Sequence, residues 1–117
     1  MKNTDDTPLM IICSFPNIES ARSAAKSCIQ KRLAACAKIQ SQPVESIYWW
    51  KDKIEQGSEF LLILKSNSHL YQECEREIKK QHSFETPEIF GISIDQIEAG
   101  YLTWMKQELS HDPTAVR

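Results

Sequence analysis

The chain has 117 residues, a formal net charge of −2 and 26% charged residues, which is typical of one ordinary folded domain. Lysine and arginine form no dense cluster, which argues against a nucleic-acid partner or an anionic membrane surface. No apolar run approaches the length of a membrane span, and the polar start M-K-N-T-D-D-T-P lacks the apolar core of a signal peptide. We therefore expect a cytoplasmic protein with no nucleic-acid partner and no membrane partner.

The first third of the chain alternates apolar runs with one amphipathic segment. Residues 1–7 indicate a disordered polar tail, and residues 9–13 predict a central strand covered on both faces. Asn17 can cap a helix over residues 18–32, in which apolar side chains recur at helical spacing. Residues 33–39 then alternate well enough to predict a second strand, rich in small side chains.

Residues 44–65 contain two β-prone runs around the charged turn K-D-K, which predicts a long hairpin. One face of its first arm holds every second residue, namely Val44, Ser46, Tyr48 and Trp50. Both faces are largely apolar. We expect one face to pack on the hairpin's own domain and the other on a second subunit, with the functional site where subunits meet. Gly57 in the second arm predicts a bulge or a close backbone approach.

The second half predicts a polar helix over residues 68–82, a core strand over 89–94 and a C-terminal helix over 101–109. Residues 8–110 are thus predicted to form a single domain, followed by a frayed tail at 111–117. The order βαββαβ plus a C-terminal helix is that of an α+β, ferredoxin-like split βαβ sandwich. Right-handed crossovers would place both long helices on one face of its antiparallel sheet.

Five segments resemble, in order, motifs of the CutA family of divalent-cation-tolerance proteins. They are K-R-L-A-A-C-A-K (31–38), S-I-Y-W-W-K-D-K-I-E (46–55), E-F-L-L-I-L-K-S (59–66), H-S-F-E-T-P-E-I (82–89) and G-Y-L-T-W (100–104). Two residues depart from the family's H-P-Y pattern. Ser83 replaces the proline, which loosens the loop, and Phe84 replaces the tyrosine, which removes a hydroxyl group.

The resemblance implies a ferredoxin-like homotrimer whose hairpins pair between subunits. It also implies divalent-metal binding, of copper especially, and a role in cation tolerance. As metal ligands we predict Cys36 and His82, with Cys13 as a third if it meets Cys36 across adjacent strands, because thiolate suits Cu(I) and imidazole suits Cu(II). The alternatives are a buried cysteine that acts as a small hydrophobe and a surface histidine with no role. Cys28 and Cys74 fit core packing better.

Seven further residues would line an inter-subunit cleft in such a trimer: Tyr48, Trp50, Glu59, Lys65, Glu88, Tyr101 and Trp104. Their aromatic members fit interface anchors and core packing about equally well. Two alternative functions stay open, namely a PII-like regulator that binds a small anionic or nucleotide ligand in this cleft, and a structural trimer that stabilises a partner protein. No nucleophile–base motif and no phosphate-binding loop is present, so we predict no enzyme activity.

Overall fold

The computed structural model describes residues 7–109. Its elements in chain order are β1 (Pro8–Phe15), α1 (Ile18–Gln30), β2 (Cys36–Ile39), β3 (Val44–Trp50), β4 (Lys53–Asn67), α2 (Tyr71–Lys80), β5 (Ile89–Ser93) and α3 (Ala99–Leu109). The antiparallel sheet has the strand order β2-β4-β1-β5, and β3 also pairs with β4. This is the split βαβ order, so the predicted ferredoxin-like fold is confirmed. The predicted tails lie outside the described residues, except that Thr7 accepts a backbone hydrogen bond from Ser68.

The core lies between one face of the sheet and helices α1 and α2. Asn17 caps α1 as predicted, because its side chain accepts a hydrogen bond from the amide of Ser20 at 2.8 Å. The helix buries small side chains, which let it lie close to the sheet: Ala21, Ala24, Ala25 and Cys28. Alternate residues of the two central strands complete the core: Ile11, Cys13, Phe15, Leu62 and Leu64.

Glu77 joins the two core helices. This carboxylate of α2 is only 6% exposed. It accepts hydrogen bonds from the hydroxyl of Ser27 on α1 at 2.5 Å, from Lys31 at 2.9 Å and from Lys80 at 3.1 Å. A buried carboxylate is tolerated only with such partners. The bonds from Ser27 and Lys31 lower the pKa of Glu77 to about 2.

The predicted hairpin consists of β3 and the first half of β4. Its two turn residues, Lys51 and Asp52, have φ angles of 50° and 67°, as a two-residue hairpin turn that matches the strand twist requires. Strand β1 ends where Phe15 pairs with Phe60, so the hairpin extends beyond the core along the 51 Å axis of the molecule.

Both faces of the outer part of the hairpin are exposed in one subunit. Trp49 on one face is 71% exposed, and Trp50 on the other is 37% exposed. The expectation that one face packs on the hairpin's own domain holds only at the hairpin base, where Val44 and Ser46 are half-buried. Gly57 pairs with Ser46 in an unbroken ladder, and an added Cβ would meet no atom within 4 Å. The predicted bulge or close approach at Gly57 is thus absent within the subunit.

Helix α3 packs on the sheet through Met105, which is buried. An ion pair between Arg32, just after α1, and Glu108 near the end of α3 holds the two helices together. Within residues 7–109, no helix has both the length and the apolar character needed to cross a membrane.

Candidate functional site

The sheet face turned away from α1 and α2, called the open face below, is apolar and partly uncovered. Side chains directly opposite each other on paired strands point to the same face, so the strand register assigns this face. It carries six apolar residues of β1, β4 and β5: Met10, Ile12, Leu61, Ile63, Phe90 and Ile92. Phe90 and Ile92 are 40% and 44% exposed. Exposed apolar surface of this kind is characteristic of a protein interface.

The two predicted thiol ligands on strands point in opposite directions. Cys36 pairs with Lys65 and lies on the open face. Cys13 pairs with Leu62 on the helix side, is fully buried, and donates to the Leu62 carbonyl at 3.8 Å. Strand β4 lies between β1 and β2. Cys13 and Cys36 are therefore not on adjacent strands, and their predicted meeting across such strands is wrong.

Both ring nitrogens of His82 already have partners. Nε2 lies 2.6 Å from the carbonyl oxygen of Ser14 and must donate to it, since a carbonyl only accepts. Nδ1 accepts from the amide of Phe84 at 3.2 Å. The ring also stacks on Phe15 with a centroid distance of 4.7 Å. A metal ion could bind His82 only after one of these hydrogen bonds was broken.

One subunit thus does not bring the predicted ligands Cys13, Cys36 and His82 together. In the part of the chain from residue 7 to residue 109, no three histidine, cysteine, aspartate or glutamate side chains are placed to hold a metal ion. Of the four cysteines, Cys13, Cys28 and Cys74 are buried and Cys36 is half-exposed. Cys36 is therefore the thiol best placed to meet a metal ion or another subunit.

Three of the predicted cleft residues surround Cys36. Lys65 is its cross-strand partner, and the Lys65 ammonium lies 5.7 Å from the ring centroid of Tyr101. Trp104 lies against Tyr101, with 5.4 Å between the ring centroids. Burial and contact with Cys36 raise the pKa of Tyr101. These side chains form a cluster at the α3 end of the open face.

The other four predicted cleft residues, Tyr48, Trp50, Glu59 and Glu88, line a groove of about 980 Å³ between β3 and residues 83–88. We call it the acidic groove. Its charged lining residues are all glutamates, namely Glu45, Glu59, Glu85 and Glu88, and none of the described lining residues is basic. Aromatic rings of β3 and Phe84 also line it, together with small polar residues, Ile47 and Pro87.

Two serine hydroxyls fix carboxylates of the acidic groove. Ser46 donates to Glu59 at 2.8 Å, and Ser14 donates to Glu88 at 3.0 Å. The sequence reasoning assigned neither serine a role. Ser46 lies two residues before Tyr48 on β3 and therefore on the same face, so the alternation of the strand could have predicted Ser46 as a groove residue. Nothing local in the sequence marks Ser14, because Glu88 lies far along the chain.

The family model described as "CutA1 divalent ion tolerance protein" matches residues 9–108. The chain belongs to this family. The CutA resemblance inferred from the five sequence segments is thereby confirmed.

CutA relatives match over most of their own length. The divalent-cation tolerance protein CutA of Pyrococcus horikoshii is 34% identical over 100 residues, which cover 86% of this chain and 96% of the relative. The CutA of Archaeoglobus fulgidus is 37% identical over 97 residues, which cover 83% of this chain and 93% of the relative. The CutA family name describes tolerance of divalent cations rather than a reaction.

Solved CutA structures share the fold. CutA1 of the psychrotrophic bacterium Shewanella sp. SIB1 superposes with a TM-score of 0.85 at 30% identity, covering 92% of this chain and 99% of that one. The periplasmic divalent cation tolerance protein CutA of Archaeoglobus fulgidus superposes with a TM-score of 0.83 at 35% identity, covering 88% and 99%.

Proposed function

We propose that the chain is a homotrimeric, non-enzymatic protein that binds divalent metal ions, copper among them, and thereby contributes to divalent-cation tolerance. The observation that carries this proposal is the position of Cys36, a half-exposed thiol on an open face that one subunit leaves uncovered. Family membership supplies the link to divalent cations.

Self-association is supported by the exposed apolar surface. The open face exposes Phe90 and Ile92, and the hairpin exposes Ile47, Trp49 and Ile54. Leaving these side chains in water costs roughly 25 cal/mol for each Å² of apolar surface, so a second copy that covers them stabilises both. The number of subunits, three, is taken from the resemblance to CutA.

Metal binding is supported at a site completed between subunits. Residues 7–109 of one subunit contain no complete set of ligands, and the proposal takes the additional ligands from another copy. Cys36 is the first choice of ligand because thiolate binds soft ions such as Cu(I) well. His82 and Cys13 are weaker choices, since the nitrogens of His82 are hydrogen-bonded and Cys13 is buried.

The alternative of a PII-like regulator with a small anionic ligand gains no support from the acidic groove. All its charged lining residues are carboxylates, which repel an anion. The alternative of a structural trimer shares the proposed interface and differs in needing no metal, so metal titration separates the two.

The test is native mass spectrometry of the reduced protein titrated with copper. We expect a trimer that takes up copper in whole-number steps, steps that are lost in Cys36→Ala. Cys28→Ala is the matched control, because it removes a thiol that is buried among helix residues. Uptake that is graded and unchanged in Cys36→Ala would refute the metal site, and a monomer would refute the assembly.

A further inference from the structure

We propose that the hairpin tip of one subunit, residues 51–53, docks in the acidic groove of a neighbouring copy. The ammonium groups of Lys51 and Lys53 would face the carboxylates of that groove. This inference rests on the homotrimer proposed above and names one contact that would hold it together.

The charge of the acidic groove calls for a cationic occupant. Four glutamates line it, and none of its described lining residues compensates them. Hydrogen bonds from Ser46 and Ser14 hold Glu59 and Glu88 in place before any partner arrives. Carboxylates fixed in this way lose little conformational entropy when a cation binds.

The aromatic wall of the groove suits an ammonium group as well. The face of a tryptophan ring attracts cations. Lys51 already lies over the ring of Trp50, a groove residue, with its Nζ 5.5 Å from the ring centroid. Lys51 itself does not line the groove, so this contact is evidence that the Trp50 ring attracts a lysine ammonium group, not that the groove is occupied.

The hairpin tip is the cationic feature that projects furthest from the core. It carries Lys51 and Lys53 around Asp52, a net charge of +1, and all three residues are exposed. An unbroken ladder from Val44–Glu59 to Trp50–Lys53 holds the tip at the opposite end of the hairpin from Glu59, so a subunit's own tip lysines stay away from that carboxylate. A groove of about 980 Å³ has room for a two-residue turn.

Tip and groove are different surfaces, so their contact is heterologous, running head to tail from one copy to the next. A heterologous contact forms a closed ring when its rotation closes and a filament when it does not. In a ring of three copies, every tip is docked and every groove is filled. The interface is then completed by lysines that only a neighbour can supply.

Charge reversal tests the contact. The tip variant is Lys51→Glu/Lys53→Glu, and the groove variant is Glu45→Lys/Glu85→Lys, which leaves the serine-bound Glu59 and Glu88 unchanged. The fourfold variant combines them and restores opposite charges between the tip and the two reversed groove positions, while Glu59 and Glu88 stay acidic. The control Arg22→Glu/Lys26→Glu matches the tip variant in charge change on the exposed side of α1. Trimer dissociation is measured by sedimentation velocity in urea, because urea is uncharged and does not screen the charges under test. Circular dichroism checks that each variant is folded.

We expect each double variant to raise the trimer dissociation constant about tenfold, as for close interfacial charge pairs, and the fourfold variant to restore part of the loss. Added salt should raise the dissociation constant of the wild-type trimer and should not raise that of the double variants. If the wild type is a trimer and the tip variant has the same dissociation constant, the proposed tip contact is wrong, although the trimer itself is not contradicted. A wild-type monomer overturns the proposed assembly itself. A third outcome is that only the groove variant changes the trimer dissociation constant and that this variant also loses Mn²⁺ binding. The groove would then bind a free cation, and the proposed tip contact would be wrong.

Discussion

His82 and Ser14 are joined by a hydrogen bond of 2.6 Å that ties the start of the loop at residues 82–88 to the end of β1. Ser14 in turn holds Glu88, at the far end of the same loop, through its hydroxyl group. The loop that forms one wall of the acidic groove is thus anchored to β1 at both ends, and His82 acts as a structural residue in this arrangement.

Replacement of His82 by alanine should cost stability and spare metal uptake. His82→Ala removes the bond to Ser14, the acceptor for the Phe84 amide and the stacking on Phe15, so we expect the free energy of unfolding to fall by about 1–3 kcal/mol. Urea unfolding measures this loss, and copper titration should give the wild-type stoichiometry. The exposed His69→Ala serves as control. Lost copper uptake at unchanged stability would instead make His82 a ligand.

Glu77 should make stability depend on pH in acid. Its ordinary pKa of 4.5 is lowered to about 2 in the folded protein, chiefly by the Ser27 hydroxyl and then by Lys31. A carboxyl group whose pKa falls on folding contributes stability that is complete above its ordinary pKa. That contribution is lost as the pH drops from about 4.5 towards about 2.

Replacement of Glu77 by glutamine should therefore lower the free energy of unfolding at pH 7 by about 1–2 kcal/mol and have a much smaller effect at about pH 2.5. Urea unfolding at both pH values measures the difference. Glu75→Gln is the matched control, since Glu75 pairs with Lys79 and interacts with Tyr71 on the same helix, and its replacement should cost a few tenths of a kcal/mol. An equal cost for Glu77→Gln at both pH values would contradict the pKa assignment.

Trp49 should stabilise the assembly rather than the subunit. It is 71% exposed on the hairpin, so Trp49→Ser removes little packing within one copy. Buried tryptophans are frequent hot spots of interfaces, and we expect the trimer dissociation constant to rise at least about tenfold. Sedimentation velocity measures the change. Ile29→Ser, which removes an exposed apolar residue of α1, should leave the oligomer intact. Equal behaviour of the two variants would argue against a hairpin interface.

The cysteines should differ sharply in reactivity. Burial, with a smaller contribution from Glu88, raises the pKa of Cys13 to about 12, and a thiol reacts through its thiolate. Cys28 and Cys74 are also buried. We expect iodoacetamide to modify the native protein at most once per chain, at Cys36, and all four thiols after unfolding. Intact mass and peptide mapping give the result, and early alkylation of Cys13 would show that β1 opens readily.

Most of the fold could be predicted from the sequence because each element carries its own periodic pattern. The alternation of β3, the helical spacing of α1 and the K-D-K turn are local signals, and each element formed close to its predicted place. Element ends were less accurate. The second strand was expected from residue 33 and begins at Cys36, because residues 31–34 form hydrogen bonds back to the end of α1.

The site was harder to predict because it depends on strand order and on the side to which each residue points. Strand β4 comes after β2 in the chain yet lies between β1 and β2, which separates Cys13 from Cys36. The seven predicted cleft residues divide between the acidic groove and the Cys36 cluster for a related reason. Glu59 and Lys65 share a face of β4, yet six residues of a strand put about 20 Å between them.

Strand β4 belongs to two parts of the molecule at once, because its second half is central in the core and its first half is an arm of the hairpin. This continuity restricts how the hairpin can change in length during evolution. Inserting one residue in either arm would turn every side chain beyond it to the opposite face. Viable changes should therefore come in matched steps of two residues per arm, each lengthening or shortening the hairpin by about 7 Å. Hairpin lengths among relatives should accordingly form a discrete series.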